Sequence, residues 1–453
     1  MKRRFHLATT IGLTAVVALG LSACAPGGIS NNPAVSASGA VSKNVAKGDI
    51  TLTVWDQNVD SGINQAQDEL NAEFEKVHPN ITIKRVSRSF TDLKTTLKLA
   101  LSGDDAPDVV QANQGYPDMG AFVKAGFLRP MNDYSTLYGW DGYFPSGLLK
   151  LNSFSANGKI WQGNNLYGVS QTGELIGLYY NKEILNKAGI PAAPKTLDGL
   201  TADMAKVKAI GALPLAYGDV DKYPGIHLYG FALASLAGRE RVNGLIMGSK
   251  GSWSGSLEAA AAQTIMDWQT AGYITPGASG VSIDTAVGGF GDGNAAFAIS
   301  GSWYGSTLAT AKAASNIGFT ALTPPGVGAP NTMGGEGLAW AMTSKAKNPD
   351  TAAAYINFIT SKSAEQTLVK HGVLPIVVPT SDTADSGSVS DDITAAYRRV
   401  SKANGISPYL DYTTPTFYDT LTAGMQNMMG AQQTPRQFSA SLQADYSLFL
   451  KTR

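Results

Sequence analysis

The sequence predicts an α/β fold in two lobes, and three observations carry that expectation. The chain has 453 residues, more than one ordinary hydrophobic core accommodates, so it divides. Its folded part begins with a strand-helix-strand-helix-strand alternation, which implies a largely parallel sheet with helices on its faces. Later strands end in polar or aromatic residues, as expected where a ligand meets the carboxyl ends of strands in an open sheet.

Asp49 to Trp55, "DITLTVW", alternates Ile50, Leu52 and Val54 with threonine, the period of a strand. Asn64 to Val77 places Ala66, Leu70, Phe74 and Val77 on one helical face, stopped at His78-Pro79. Ile81 to Val86 reads as the second strand. Leu93, Leu97, Ala100 and Leu101 mark a second helix closing at Ser102-Gly103, and "PDVVQAN" supplies the third strand. Ala295 to Ile299 is a short apolar strand followed by the turn Ser300-Gly301-Ser302, which presents Trp303. Gly334 to Gly337 sets Glu336 on flexible backbone before the apolar "LAWAM". Asn348-Pro349 reads as an N-cap followed by proline at N1, opening a helix that carries Ala353, Ile356 and Ile359 on one face. Thr380 to Asp391 reads as a surface loop, and the remainder is mostly helical, broken at "GISPYLDYTTP" and "GAQQTP".

The N-terminus has a different character. Lys2-Arg3-Arg4 precedes a mostly apolar run from Leu7 to Leu21, too short for a membrane span, and Leu-Ser-Ala-Cys ends at Cys24, the single cysteine. This is an export signal resembling a bacterial lipobox, with Cys24 as the lipidated residue. Acyl chains there contribute about 0.8 kcal/mol per buried methylene, so several together anchor durably. Residues 24–48, rich in Gly, Ser, Ala and Asn, read as a flexible tether. With Cys24 consumed, no thiol remains for a disulfide, a metal or nucleophilic catalysis.

Thirty-five basic and 35 acidic side chains give no basic excess for tracking nucleic-acid phosphates. No nucleophile elbow, metalloprotease helix, phosphate loop or complete dinucleotide fingerprint is present. The glycine-rich "GGFGDGN" precedes a strand instead of opening a helix. Hence neither a cofactor nor a metal is expected. Each strand-end residue has a bland reading: Asp56 as a helix cap, Asn113 as a turn residue, Trp303 as core. Together they favour a crevice with hydrogen-bonding groups and flat apolar faces. Paired carboxylates also keep an exported glycosidase open, because sequence does not measure their separation.

The ordered series "TLTVWD", "FEKVHPNITIK", "LSGDDAPDVVQAN", "VKAGFLRPM", "LYGVSQTGELIGLYYNKEILNKAGIPAAPKT", "GNAAFAISGSW", "NPDTAAAYINFITS" and "PYLDY…GMQNMMGAQQTPRQF" resembles the family-1 extracellular solute-binding proteins, the maltose-binding-like lipoproteins of bacterial ABC importers. The resemblance implies a type II binding-protein fold closing on its ligand, with crossings near Val169–Gly173, Thr332–Gly337 and Leu374–Thr380. Residues 1–23 would be the signal peptide and 24–48 the lipidated cysteine and tether. Lobe 1 would comprise 49–170 and 337–376, and lobe 2 residues 174–332 and 380–453.

By this resemblance Glu174, six residues before the Tyr180-Asn181 pair, contacts sugar, and Trp303 stacks on a sugar ring. Asn113 and Gln114 present polar groups after the third strand, where relatives often carry tryptophan or an acid. Trp55, Asp56, Gly335 and Glu336 match cleft positions less strictly. Asp219 and Tyr223 occupy a ligand-reaching loop, with Tyr223 where tryptophan is common. A pyranose offers an apolar C–H face and a hydroxyl rim, which aromatic and Asp, Glu, Asn or Gln side chains suit. The expectation is a monomeric, non-enzymatic binding protein on the outer face of a Gram-positive cytoplasmic membrane. It would deliver a neutral oligosaccharide to ABC permease subunits. Alternatives are an exported sugar-modifying enzyme, a binding protein for a polyol or glycerol phosphoester, and a surface adhesin.

Overall fold

A computed structural model of the chain describes residues 40–378 and 387–452. The signal peptide, Cys24 and part of the expected surface loop lie outside the described residues. Among those described, no helix is long and apolar enough to cross a membrane.

The expected alternation is present as β1 (Ile50–Asp56), α1 (Ser61–Val77), β2 (Ile81–Ser87), α2 (Phe90–Ser102) and β3 (Val109–Ala112). β1 lies parallel to both β2 and β3. The second set of strands is β4 (Gly173–Asn181), β5 (Leu213–Ala216), β6 (Ala295–Gly301), β7 (Ile317–Thr320) and β8 (Thr332–Glu336). β9 (Ala339–Met342) returns to pair antiparallel with β3, closing a first sheet of order β9-β3-β1-β2. The second sheet runs β10-β8-β4-β6-β5, where β10 is Ile406–Ser407, and β7 pairs with the far half of β4. Both sheets are therefore mixed and flanked by helices.

Binary pattern explains the packing. Leu52 and Val54 of β1 are buried with Leu70 and Phe74 of α1 and with Ala353, Ile356 and Ile359, which follow Pro349 in a helix spanning Pro349–Ile359. Each such side chain contributes about 1.5–3 kcal/mol when fully buried. β6 sits inside the second sheet, and all seven of its residues are buried. That central position is why it reads as a run of small and apolar residues without alternation.

Four local expectations change. The strand expected to stop at Ile299 continues to Gly301, and Trp303 lies in the short 3₁₀ turn that follows. Glu336 is not on loose backbone: it ends β8, where Gly334 and Gly335 take φ of +145° and +125°. Asn348 occupies the N-cap position but makes no side-chain cap bond. The expected tether is docked at its end, because Val41 and Val45 pack on the core and Asn80 Nδ2 donates to Ala46 O and Gly48 O at 2.9 and 2.7 Å. Two valines in a polar run supply the apolar surface for that docking.

Three segments that connect the two sheets lie side by side. Val169 exchanges backbone hydrogen bonds with Trp340, Gly337 N donates to Thr172 O at 3.0 Å, and Gly173 N donates to Leu374 O at 3.1 Å. Ile376 N donates to Gln171 O at 3.1 Å, so the three form one bonded ribbon.

One buried ion pair fixes the end of β1. Asp56 is fully buried and accepts from Arg85 Nε at 2.7 Å and Nη2 at 3.0 Å, from Asn58 N at 2.9 Å, and from Ser87 Oγ. Removing one partner of such a pair leaves an uncompensated charge. Arg85→Ala is expected to cost about 3 kcal/mol of unfolding free energy in a urea titration; a loss within 0.5 kcal/mol, the range of about 0–1 kcal/mol typical of exposed pairs, would show that the pair is not structural.

Candidate ligand-binding site

The cavity opens between the two sheets, over the carboxyl ends of β1 and β3 on one side and the β4–β8 ladder on the other. It encloses about 1340 Å³ between its atoms, its open mouth included. One wall is aromatic. Trp303 lies 5.3 Å from His227, ring centre to ring centre, and His227 lies 5.4 Å from Tyr223 and 5.5 Å from Tyr409. Tyr223 meets Phe90 from the first lobe at 5.4 Å, and Tyr409 meets Tyr412 at 5.7 Å. Edge-to-face contacts of this kind stabilise by about 0.5–1.5 kcal/mol each beyond area burial, so the wall is built before any ligand arrives.

Gly301 has an ordinary extended backbone, φ −78° and ψ 154°, so no turn geometry requires glycine there. What requires it is space: a Cβ at Gly301 would stand 1.9 Å from the Trp303 ring. The indole lies against the bare Cα, and this packing aims it.

Of the residues expected from sequence, Asn113, Glu174, Tyr223, Trp303 and Glu336 line the cavity. The other five are placed elsewhere. Trp55 is partly buried beneath the Arg88 guanidinium, 4.6 Å from its ring centre. Asp56 is committed to Arg85. Gln114 lies fully buried behind the wall, donating to Gly337 O at 2.9 Å and accepting from Tyr412 Oη at 3.0 Å. Asp219, also fully buried, accepts from Gly225 N at 2.7 Å and so holds the start of the helix that opens at Tyr223. Gly335 faces Leu148, Leu151 and Ile406, and its carbonyl accepts from Tyr397 Oη at 2.9 Å.

Further residues line the cavity, among them His227, Tyr409, Asp411 and Tyr412, whose part in the site the sequence leaves open. Asp60, just past β1, and Phe90, just past β2, follow the same strand-end rule and were within its reach. Tyr409, Asp411 and Tyr412 come from "PYLDY", after β10. Asp284 sits in the first turn of a helix (Ile283–Gly291), where an acid is ordinary, so no pattern distinguished it.

The electrostatics are one-sided. Burial, with the nearby charge of Asp60 adding to it, pushes the Glu174 carboxyl up to about 7 against a weak donation from Tyr409 Oη at 3.4 Å. Burial and then Asp284 push Asp60 up to about 6. Burial also raises Asp411 to about 6, and raises Glu336 well above the carboxylate range despite nearby Ser170, Asn152 and Gln114. His227 is pushed down to about 3 by burial and stays neutral at physiological pH. Among the described residues no group of ligands for a metal is present.

A carboxyl whose pKa is raised by folding is penalised when ionised. The penalty is absent below the unfolded value near 4.5 and complete above the folded value of about 7. For Glu174, partly open to the cavity, it is on the order of 2–3 kcal/mol. Glu174→Gln is therefore expected to match the unliganded wild type in melting temperature at pH 4.5 and to exceed it increasingly up to pH 8. A constant difference across that range would show that Glu174 is not held in this environment.

The comparisons agree with this geometry. The family model for bacterial extracellular solute-binding proteins matches residues 69–396. An ABC transporter extracellular-binding protein of Pyrococcus horikoshii is 26% identical over 314 residues, covering 68% of this chain and 67% of that one. The multiple sugar-binding protein of Streptococcus mutans is 22% identical over 300 residues, 65% of this chain and 67% of its own. A solved chitin oligosaccharide binding protein superposes with a TM-score of 0.76 at 23% identity, covering 88% of this chain and 98% of that one, and so shares the two-lobe type II fold. These relatives are binding proteins, and the matched span is well over half the sequence. The chain belongs to the bacterial extracellular solute-binding proteins.

Proposed function

We propose that the chain is the lipid-anchored solute-binding component of an ABC importer, capturing an oligosaccharide free of anionic groups by lobe closure and passing it to permease subunits. The observation that carries this reading is Trp303, a partly open indole on the cavity wall, set among carboxyl and amide groups. The indole face takes the C–H face of a pyranose and the polar groups take its hydroxyls. No lysine or arginine lines the cavity among the described residues, which leaves a phosphate or carboxylate on the sugar without a counter-charge. Closure is supported by contacts across the mouth: Lys94 Nζ lies 4.2 Å from the centre of the Tyr418 ring, and Tyr412 Oη donates to Gln114 Oε1. Ligand would select the closed state by its differential affinity for it.

An exported glycosidase remains the second reading, because the cavity holds several carboxyl groups. Incubation of the purified protein with mono- to tetrasaccharides separates the two. Saturable binding with unchanged sugar supports the binding protein; turnover would replace it with the enzyme.

Trp303→Ala is expected to weaken binding at least about tenfold, roughly 1.4 kcal/mol, with an unchanged circular dichroism spectrum. Gly301→Ala should weaken it in the same direction by displacing the indole. Full affinity in both variants would remove Trp303 from the site. Cys24→Ser is expected to move the protein from the membrane fraction into the medium, and retention on the membrane would contradict the lipid anchor.

A further inference from the structure

Resting on the carbohydrate reading above, we propose that the captured sugar carries a protonated amine, seated among Glu174, Glu336 and Asp60. Six carboxyl-bearing residues line the cavity: these three with Asp221, Asp284 and Asp411. The lining contains no lysine or arginine among the described residues. The nearest cations are spent elsewhere, Lys94 on Asp118 at 2.6 Å and Arg85 on Asp56 at 2.7 Å.

The six are not equally free. Asp221 accepts from Ile283 N at 3.0 Å, and Asp284 accepts from Tyr304 Oη at 2.5 Å. Asp411 lies closest to the influence of Lys94 and Asn113. The remaining three have weaker partners, Glu336 facing only the neutral side chains of Ser170, Asn152 and Gln114. Glu336 is 3% exposed, and its Oε1 has no hydrogen-bond partner among the described residues. Asp60 occupies the N-cap position of α1 yet makes no side-chain cap bond. Glu174 has only the long contact from Tyr409.

A neutral hydroxyl rim needs donors and acceptors in balance, since every hydroxyl is both. Several of the lining donors are already engaged. Tyr409 gives its proton to Glu174, Tyr304 to Asp284 and Tyr412 to Gln114, while Asn113 Nδ2 donates to Asp118 at 3.1 Å. When ionised, the six carboxyls supply acceptors in excess, which an ammonium with three donors and no acceptor fits. The rings of Trp303, Tyr223 and Tyr409 around it add attraction for a cation. Mutual repulsion points the same way, for Asp284 raises Asp60, Asp60 raises Glu174, and Glu174 raises Glu336. One positive charge among them relieves all of these at once. This departs from the neutral sugar expected from sequence: the ligand is a sugar bearing a positive charge.

The test is calorimetric titration of the full chain with matched sugars. Glucosamine, galactosamine and glucosamine oligomers of two to four units are each paired with their N-acetyl and hydroxyl counterparts. The amine member should bind at least tenfold tighter in the best pair at pH 7. That preference should shrink towards pH 5, where Asp60, Glu174 and Asp411 take up protons while His227 stays neutral. Glu174→Gln should cut the preference at pH 7 at least threefold. Neutral members binding as tightly as their amines would overturn this inference and leave the carbohydrate reading standing. Failure of every sugar to bind would overturn both.

Discussion

Everything at the site depends on the bonded ribbon formed where the chain passes between its two sheets. Val169–Gly173, Gly337–Trp340 and Leu374–Ile376 hold one another through backbone hydrogen bonds. Because β4 starts and β8 ends in this ribbon, Glu174 and Glu336 are set at the base of the cavity by main-chain pairing, with Glu336 opposite Gly173 and Glu174 opposite Gly335. The glycines around them are forced by space. A Cβ at Gly334 would meet Glu174 O at 2.3 Å, and one at Gly337 would meet Thr172 Oγ1 at 2.3 Å. The acids thus sit on backbone where an added Cβ has no room.

Charge is treated in two opposite ways on either side of β1. Asp56, at the end of that strand, is fully buried and saturated by Arg85, Asn58 and Ser87. Four residues later Asp60 is left bare towards the cavity. Both are aspartates after the same strand, and what separates them is whether a neighbouring element supplies a cation. β2 brings Arg85 into register next to Val54 and so within reach of Asp56. Nothing comparable reaches Asp60, so the neutralising group has to come from outside the chain or as a proton.

That distinction sets how much was legible in the sequence. Periodicity found the alternation of β1 to β3 because Leu52, Val54, Leu70 and Phe74 each face a core. The strand-end rule found the right neighbourhood, since Asn113, Trp303 and Glu336 all line the cavity. It did not separate lining residues from supporting ones, because Asp56 and Gln114 are identical in type to residues that face a ligand. Their partners, Arg85 and Tyr412, lie 29 and 298 residues away in sequence. Gly301 was legible as important but for the wrong reason: a turn was expected, and the backbone is ordinary. Only the position of the folded-back indole reveals the need for an absent Cβ.

The same contacts also explain why an unliganded closed state would be poorly favoured. Tyr116 meets Phe449 at 4.8 Å, Trp161 meets Tyr412 at 5.7 Å, and Tyr412 Oη lies 3.3 Å from Asn113 Oδ1. Tyr412 Oη donates to Gln114 at 3.0 Å, Lys94 rests on the Tyr418 ring, and Phe90 meets Tyr223. A single neutral hydrogen bond contributes about 0.5–1.5 kcal/mol net, and a cation–π contact at a partly open site about as much. Asp284 lies near enough to Asp60 to raise it, and burial drives both Asp60 and Glu174 towards protonation. The penalty on Glu174 alone, on the order of 2–3 kcal/mol when ionised, offsets two or three such contacts. A ligand that donates to these acids relieves that penalty and so favours the state in which they are enclosed. The bare carboxyls are costly without ligand, and that cost is what makes closure depend on it.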